Sequence, residues 1–282
     1  MHVKIEAVDV VKTSCLPSME LTFDTVDELC LAAARDRLKN VAGLSVVGVG
    51  RLGPAVEFFH SRVQYSIISG VQVDASVEWE ALRSAAERSV ISGNGLGDSF
   101  GFFPLSRKGD SDEELWTSWL SRAQAAAERA GFGKPIAHGF IGAILELEGN
   151  VEEHSERAST GIVGYRREDE EFEFVVADRG VGVLASLRTS IEFRTLNDAG
   201  TALRLALQDG VSRFDGDPAR GFGFRQLFLT LASLEGSLRF RSDDHAMVIA
   251  GRGPKLSEAS LIQKAGFSGF AVSVSCRSRA ER

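Results

Sequence analysis

Cysteine is scarce in this sequence, and its three copies lie far apart at Cys15, Cys30 and Cys276. They form no CxxC pair, so neither a disulfide framework nor a redox motif is predicted. The five histidines show no HExxH spacing and no cluster with cysteine, which argues against a structural zinc site. No run of about 18 apolar residues is present, and the first residues do not read as a secretory signal. We therefore expect a reduced, cytoplasmic protein that does not enter a membrane.

Positive charge is not in excess either. The 282 residues carry 32 Lys and Arg against 39 Asp and Glu, a net charge of -7. A broad electrostatic contact with nucleic acid is therefore not expected. Hydrophobic residues make up 44% and charged residues 25%, which is typical of a globular protein. At roughly 150 residues per domain, the length predicts about two domains.

The first third of the sequence alternates between strand and helix patterns, which predicts a small α/β unit. We expect strands near 21–23, 44–49 and 64–73 and helices near 24–39, 54–63 and 77–89. Glycines interrupt this pattern between residues 92 and 112, and we place a boundary at its end. The predicted domains are residues 1–107, a small α/β domain with a possible regulatory role, and residues 108–282.

The second part predicts two helices followed by a sheet. Acidic residues open a helix that ends near Arg129, and a second helix covers about 136–157. Strands near 160–166 and 171–177 are joined by an acidic turn, which we interpret as a solvated hairpin tip. A short amphipathic helix near 199–207, a helix near 223–234 and strands near 237–241, 246–250 and 267–276 complete the prediction.

Polar residues that suit nucleotide chemistry fall at three places in this second part. Glu146, Asn150 and His154 follow one another at i, i+4 and i+8, so they share one face of the second helix. Asp178 ends a hydrophobic strand and precedes Gly180 and Gly182. An acid at a buried strand end can accept a hydrogen bond from an exocyclic amine, and glycines permit close approach of a ring or phosphate.

The third place is the segment Arg220-Gly221-Phe222-Gly223, which precedes a helix. A glycine pair at the start of a helix offers free N–H groups and a positive dipole end to phosphate. Taken in order, the three segments resemble the N box, the DxGxG box and the second glycine box of the GHKL ATPase superfamily. This superfamily includes gyrase-type ATPases, mismatch-repair ATPases, sensor histidine kinases and anti-sigma-factor serine kinases, and the layout here is most similar to the last group.

This resemblance implies a Bergerat fold, a two-layer α/β sandwich, from about Asp112 to Cys276. It implies that Glu146 orients or deprotonates the attacking water or hydroxyl and that Asn150 holds Mg²⁺. Asp178 would bind the adenine amino group in a pocket shaped by Gly180 and Gly182. His154, Arg220, Gly221 and Gly223 would contact ATP near its phosphates, with residues 184–220 forming a lid.

Function follows from the same resemblance. The chain is expected to bind ATP with Mg²⁺ and either hydrolyse it or transfer its γ-phosphate to a protein, as an ATPase or a serine kinase-like enzyme. Positioning and charge neutralisation dominate such phosphoryl transfer. A protein partner or a second copy of the chain is implied, because relatives often work in this way. His138 lies only two turns before Glu146 and is a poor candidate for a phosphoacceptor histidine.

Two alternatives stay open. The chain could bind the nucleotide only to gate a protein interaction, although Glu146 favours a live site because a binding module needs no general base. The run from Gly48 to Gly53 matches GxGxxG after a predicted strand, with Asp74 at the end of the next strand, which is the context of a dinucleotide site. Only about three strands fit here, so a tight structural turn is the favoured interpretation.

Overall fold

The computed structural model describes residues 18–36, 38, 41, 44–46, 50–73, 76–93, 99–109, 112–207, 230–231, 234–253 and 255–278. Three predicted site residues, Arg220, Gly221 and Gly223, lie outside these ranges. Gly48 and Asp74 of the GxGxxG segment lie outside them as well. In the described part of the chain, no helix is long and apolar enough to cross a membrane.

The first unit is a small parallel sheet with helices. Its strands β1 (Ser18–Met19), β2 (Ser45–Val46) and β3 (Gln72–Val73) pair in the order β1-β2-β3. The helices are α1 (Phe23–Ala34), α2 (Leu52–Gln64) and α3 (Val77–Arg88), with a 3₁₀ turn at Ser66–Gly70. Residues 21–23, expected as a strand, instead lead into α1, because the Thr22 hydroxyl accepts a hydrogen bond from the Thr25 amide and caps the helix.

The second unit is a five-stranded antiparallel sheet of order β4-β5-β6-β8-β7. The strands are β4 (Phe100–Pro104), β5 (Ile162–Glu168), β6 (Glu171–Ala177), β7 (Glu235–Arg252) and β8 (Ser260–Arg277). The helices are α4 (Glu113–Arg129), α5 (Lys134–His154), α6 (Val183–Leu187) and α7 (Ala199–Ala206). Short 3₁₀ turns lie at Leu105–Arg107, Ala158–Thr160 and Leu256–Glu258. This arrangement confirms the predicted α/β class with a sandwich of sheet and helices.

Strand β4 comes from the glycine-rich stretch and precedes the expected boundary at residue 107, yet it is an edge strand of the second sheet. Its glycines serve close packing. A Cβ on Gly101 would lie 2.7 Å from the Tyr165 ring, and one on Gly93 would lie 2.8 Å from the Gly101 Cα. Gly93 and Gly101 therefore permit close packing of this segment on β5 and on itself.

Alternation along β6 separates two hydrophobic cores. Phe172, Phe174 and Val176 belong to the core shared with α4, α5 and α7, whereas Val175 and Ala177 belong to the core shared with α1 and α2. Both faces of the second sheet are therefore covered, which explains why β6 ends in the continuous hydrophobic run Phe174–Ala177.

Charged residues link the first unit to the back of this sheet. Arg239 of β7 donates to Glu57 of α2 (Nε to Oε1, 2.8 Å) and to Asp27 of α1 (Nη2 to Oδ1, 2.7 Å). Arg241 bonds both of these carboxylates as well, and Lys264 Nζ lies 2.7 Å from Asp27 Oδ2. Four of these five residues, all but Lys264, are buried. The contact between the units is therefore an internal interface in which three cationic side chains bond to two carboxylates.

Candidate active site

Asp178 is the centre of the candidate site. It follows β6 directly, is 0% exposed, and by alternation lies on the face of the sheet covered by α5. Its Oδ1 accepts a 2.5 Å hydrogen bond from the Gly180 amide, while its buried Oδ2 has no hydrogen-bond partner among the residues that the structure describes. Burial raises the pKa of Asp178 to about 7, against the lowering effect of hydrogen bonds with the Gly180 and Phe270 backbone. A buried acceptor without a donor is costly in a folded protein and points to a ligand that supplies the donor.

The loop after Asp178 is fixed to the C-terminal end of α5. The Val181 amide donates to the carbonyl oxygen of Ser155 at 3.0 Å, and the Arg179 amide donates to Thr160 Oγ1 at 2.9 Å. Ser155 is the residue immediately after His154, at the end of α5. The structure thus brings the Asp178 loop against the helix that carries Glu146, Asn150 and His154.

Gly180 is required by this contact. A Cβ at this position would lie 2.1 Å from the Ser155 carbonyl oxygen and 2.7 Å from Asp178 Oδ1. Gly182 has φ of +81° and precedes α6, whose first amides donate to Ser242 and Asp243 of β7. Both glycines are therefore explained by contacts within the protein, because they allow the loop to pack between α5 and β7.

Glu146 lies on α5 two turns before the contact with the loop. Its side chain is partly buried, and its buried Oε2 has no hydrogen-bond partner within the described ranges. Burial raises the pKa of Glu146 to about 7. A carboxylate with such a pKa can accept a proton near neutral pH, as a general base must.

Asn150 and His154 continue the same row, both half-buried, and α5 ends at His154. Successive members are one turn apart, or about 6 Å along the axis, so the row runs from Glu146 towards the Asp178 loop. Among the described residues, no three His, Cys, Asp or Glu side chains form a group that could hold a metal ion.

The first part of the expected lid is folded. Within 184–207 the chain forms most of α6 and all of α7, and α7 packs on β7 through the buried side chains of Ala202 and Leu203. The later lid residues, including Arg220, Gly221 and Gly223, lie outside the described residues. Their role in phosphate binding stays a prediction.

A cleft of about 540 Å³ lies behind the Asp178 loop, where Gly180 forms part of its wall. The same wall carries Asp198, Asp243, Asp244 and His245, with no Lys or Arg among the described lining residues. Three carboxylates repel a triphosphate. The charge of this cleft therefore disfavours a triphosphate.

Helix α2 begins within the GxGxxG segment, and the amide of its first residue donates a hydrogen bond to a carboxylate. Leu52 N donates to Glu173 Oε2 of β6 at 2.7 Å, and Arg51 lies 2.9 Å from Glu171. Gly53 belongs to α2, and a Cβ at this position would lie 2.6 Å from the Phe23 ring. A carboxylate at the helix N-terminus occupies the place of a pyrophosphate and repels it. The described part of this segment therefore favours the structural turn.

Sequence reasoning missed the ion pairs that hold this site in place. Glu148, between Glu146 and Asn150, is buried and bonded to Lys108, and Glu173 caps α2. Each is a charged residue in a hydrophobic stretch. That signal indicates a buried partner, although it does not identify which one.

Comparison with solved structures finds a weak structural similarity. The crystal structure of the B subunit of DNA gyrase from Myxococcus xanthus is similar to this chain at a TM-score of 0.29 and 14% sequence identity. The similarity covers 51% of this chain and 38% of that one, so the chain spans well under half of that subunit. No family model and no curated protein matches the sequence.

Proposed function

We propose that this protein binds ATP with Mg²⁺ in the manner of the GHKL superfamily and cleaves the γ-phosphate. The observation that carries the proposal is the buried Oδ2 of Asp178, which has no hydrogen-bond partner in the described part of the chain and lies in a loop bonded to the end of the helix that bears Glu146 and Asn150. A base with an exocyclic amine supplies the missing donor. The remaining polar row on α5 then lies along the rest of the nucleotide.

Each residue has a defined task in this proposal. Asp178 accepts a hydrogen bond from the adenine amino group, and the Gly180 and Gly182 loop forms the wall of the base pocket. Asn150 would hold Mg²⁺, which neutralises phosphate charge when bound. Glu146 would take a proton from the attacking water or protein hydroxyl as its oxygen bonds to the γ-phosphorus and the bond to the β–γ bridging oxygen breaks. The products are ADP and either inorganic phosphate or a phosphoprotein.

His154, Arg220, Gly221 and Gly223 complete the proposed ATP site. His154 ends the polar row of α5, and the other three belong to the proposed lid. The Arg220 side chain and the backbone amides of Gly221 and Gly223 would stabilise the phosphates when the lid closes. The protein that receives a phosphate, or responds to the nucleotide, is proposed to be a separate partner or a second copy of this chain.

Calorimetry with four nucleotides tests the base assignment. ATP and ADP are expected to bind, and NADH is not. GTP is expected to bind about 100-fold more weakly, because guanine places a carbonyl acceptor opposite the Asp178 acceptor. Equal affinity for ATP and GTP would contradict the role of Asp178.

Turnover is tested separately with Glu146→Ala. This variant is expected to retain ATP binding and to lose at least about 100-fold in γ-phosphate release. Radiolabelled ATP then shows whether label appears as free phosphate or on protein. A wild-type protein that binds ATP with no release of either kind would support the nucleotide-gated binding module instead.

A further inference from the structure

Lys108 connects the segment between β4 and α4 to helix α5. Its Nζ lies 2.8 Å from both Glu148 Oε1 and Oε2, and 3.1 Å from Glu152 Oε1. The Glu148 side chain is only 3% exposed, whereas that of Lys108 is 26% exposed. A carboxylate this deeply buried needs its cation in place, so this contact has one preferred geometry.

The contact lies on the opposite flank of α5 from the candidate site. At about 100° per residue, Glu146, Asn150 and His154 occupy one side of the apolar stripe, and Glu148 and Glu152 occupy the other. The stripe between them, which includes Ile144, Leu147 and Val151, is buried in the core. Hydrophobic burial is non-directional. The hydrogen-bonded ion pair on the far flank is directional, so its strength depends on the rotation of the helix.

Lys108 is itself held by its surroundings. Its amide donates to the Leu105 carbonyl oxygen at 3.0 Å, and its Nζ lies 6.0 Å from the centre of the Trp116 ring. Trp116 stacks on Trp119 of the same helix, with ring centroids 5.5 Å apart. The ammonium group is therefore presented to α5 from a well-packed support.

We propose that Lys108, acting through Glu148, is a positioning residue that sets the rotation of α5 and thereby aims Asn150 and Glu146 at the metal and phosphates. This inference rests on the proposed function. It predicts that the Lys108–Glu148 pair affects the Mg²⁺-dependent part of ATP affinity. The base pocket, built on β6 and Asp178, should be unaffected.

The test replaces the pair without leaving a buried charge alone. The double variant Lys108→Met, Glu148→Leu removes the directional contact and keeps apolar packing. Its matched control is Arg107→Met, which removes the neighbouring ion pair, 2.8 Å long, to Asp112 at the start of α4. ATP affinity is measured by calorimetry with Mg²⁺ and with EDTA, and thermal unfolding confirms that each variant is folded.

In the double variant, Mg²⁺ is expected to raise ATP affinity about tenfold less than it does in wild type. A loss of this size is typical when residues that orient metal ligands are replaced. Its affinity for ATP in EDTA should stay within about twofold of wild type. Arg107→Met should match wild type in both conditions. Lys108→Arg, which keeps the charge, should retain most of the gain.

A folded double variant with the full Mg²⁺-induced gain would overturn the positioning role and leave the proposed function standing. If wild-type protein binds no ATP, the proposed function is overturned. If its ATP affinity does not depend on Mg²⁺, the metal assignment is overturned. Either result also overturns this inference. If the double variant does not fold, Glu148→Gln replaces it, because it keeps the shape and a hydrogen bond to Lys108. A loss of about threefold is then expected, and an unchanged gain would overturn the inference.

Discussion

Replacing Asp178 by Asn should make the protein more stable and less able to bind ATP. The substitution keeps the shape of the side chain and an oxygen that accepts from the Gly180 amide. It removes the negative charge, and it converts the unpartnered Oδ2 acceptor into an amide donor. Stability should rise while ATP affinity falls, so a loss of binding in this variant cannot be caused by unfolding.

The stability change depends on pH. Burial raises the pKa of Asp178 from 3.8 to about 7, so the native state binds the proton more tightly than the unfolded chain does. Unfolding free energy therefore falls as pH rises from about 4 to about 7, and it levels above that range. From pH 5 to pH 8, the unfolding free energy of wild type should therefore fall by about 2–3 kcal/mol relative to that of Asp178→Asn. This value uses 1.36 kcal/mol for each pKa unit. Ionisation of every other group cancels in this comparison.

The binding change follows from the hydrogen bond to the base. A bond to a buried charged acceptor contributes about 1.5–3 kcal/mol, and the facing donors of Asn and adenine add a penalty. ATP affinity should therefore fall by about 100-fold or more, at 1.4 kcal/mol per tenfold. Urea unfolding without nucleotide at pH 5 and pH 8, with calorimetry at pH 8, measures both quantities. A stability difference that is the same at both pH values, or unchanged ATP affinity, would refute the reasoning.

Three further predictions concern other parts of the molecule. The rate of phosphate release should fall about tenfold per pH unit below pH 7, where the Glu146 base becomes protonated; a flat pH–rate profile argues against this base. Gly180→Ala should lower stability by about 1–3 kcal/mol, since its Cβ meets the Ser155 carbonyl, and unfolding at the wild-type urea midpoint would contradict that packing. Arg239→Met removes the hydrogen bonds from Arg239 to Glu57 and Asp27 and should cost about 1.5–3 kcal/mol by calorimetry; a neutral effect would show that Arg241 and Lys264 suffice for the two carboxylates.

The long elements of the second unit could be predicted because their patterns are strong. Strand β6 has the bounds 171–177 that its hydrophobic run predicts, and α4 and α5 lie within a few residues of expectation. Asp178 stood out for the same reason, as an acid at the end of a clearly bounded buried strand. Where a local pattern determines the structure, sequence reasoning finds both the element and the residue that ends it.

Contacts between distant segments could not be predicted in this way. The partner of Arg239 at Glu57 lies 182 residues away, and Glu173 reaches Leu52 across 121 residues. The strands β1 to β3 have two residues each, too few for alternation to show. The expected pair of strands at 237–241 and 246–250 is a single strand, β7, with register shifts near Asp243, where a bulge interrupts the pattern.

The position of the first unit follows from the composition of β6 and β7. A two-layer sandwich leaves one face of its sheet without a helical cover, and such a face should carry polar residues. Here that face carries Val175, Ala177 and the buried Arg239 and Arg241 instead. Arginines in that setting require carboxylates, and only the first unit supplies them among the described contacts, from α1 and α2. The first unit therefore forms a third layer whose contacts reach β6, the strand that precedes Asp178.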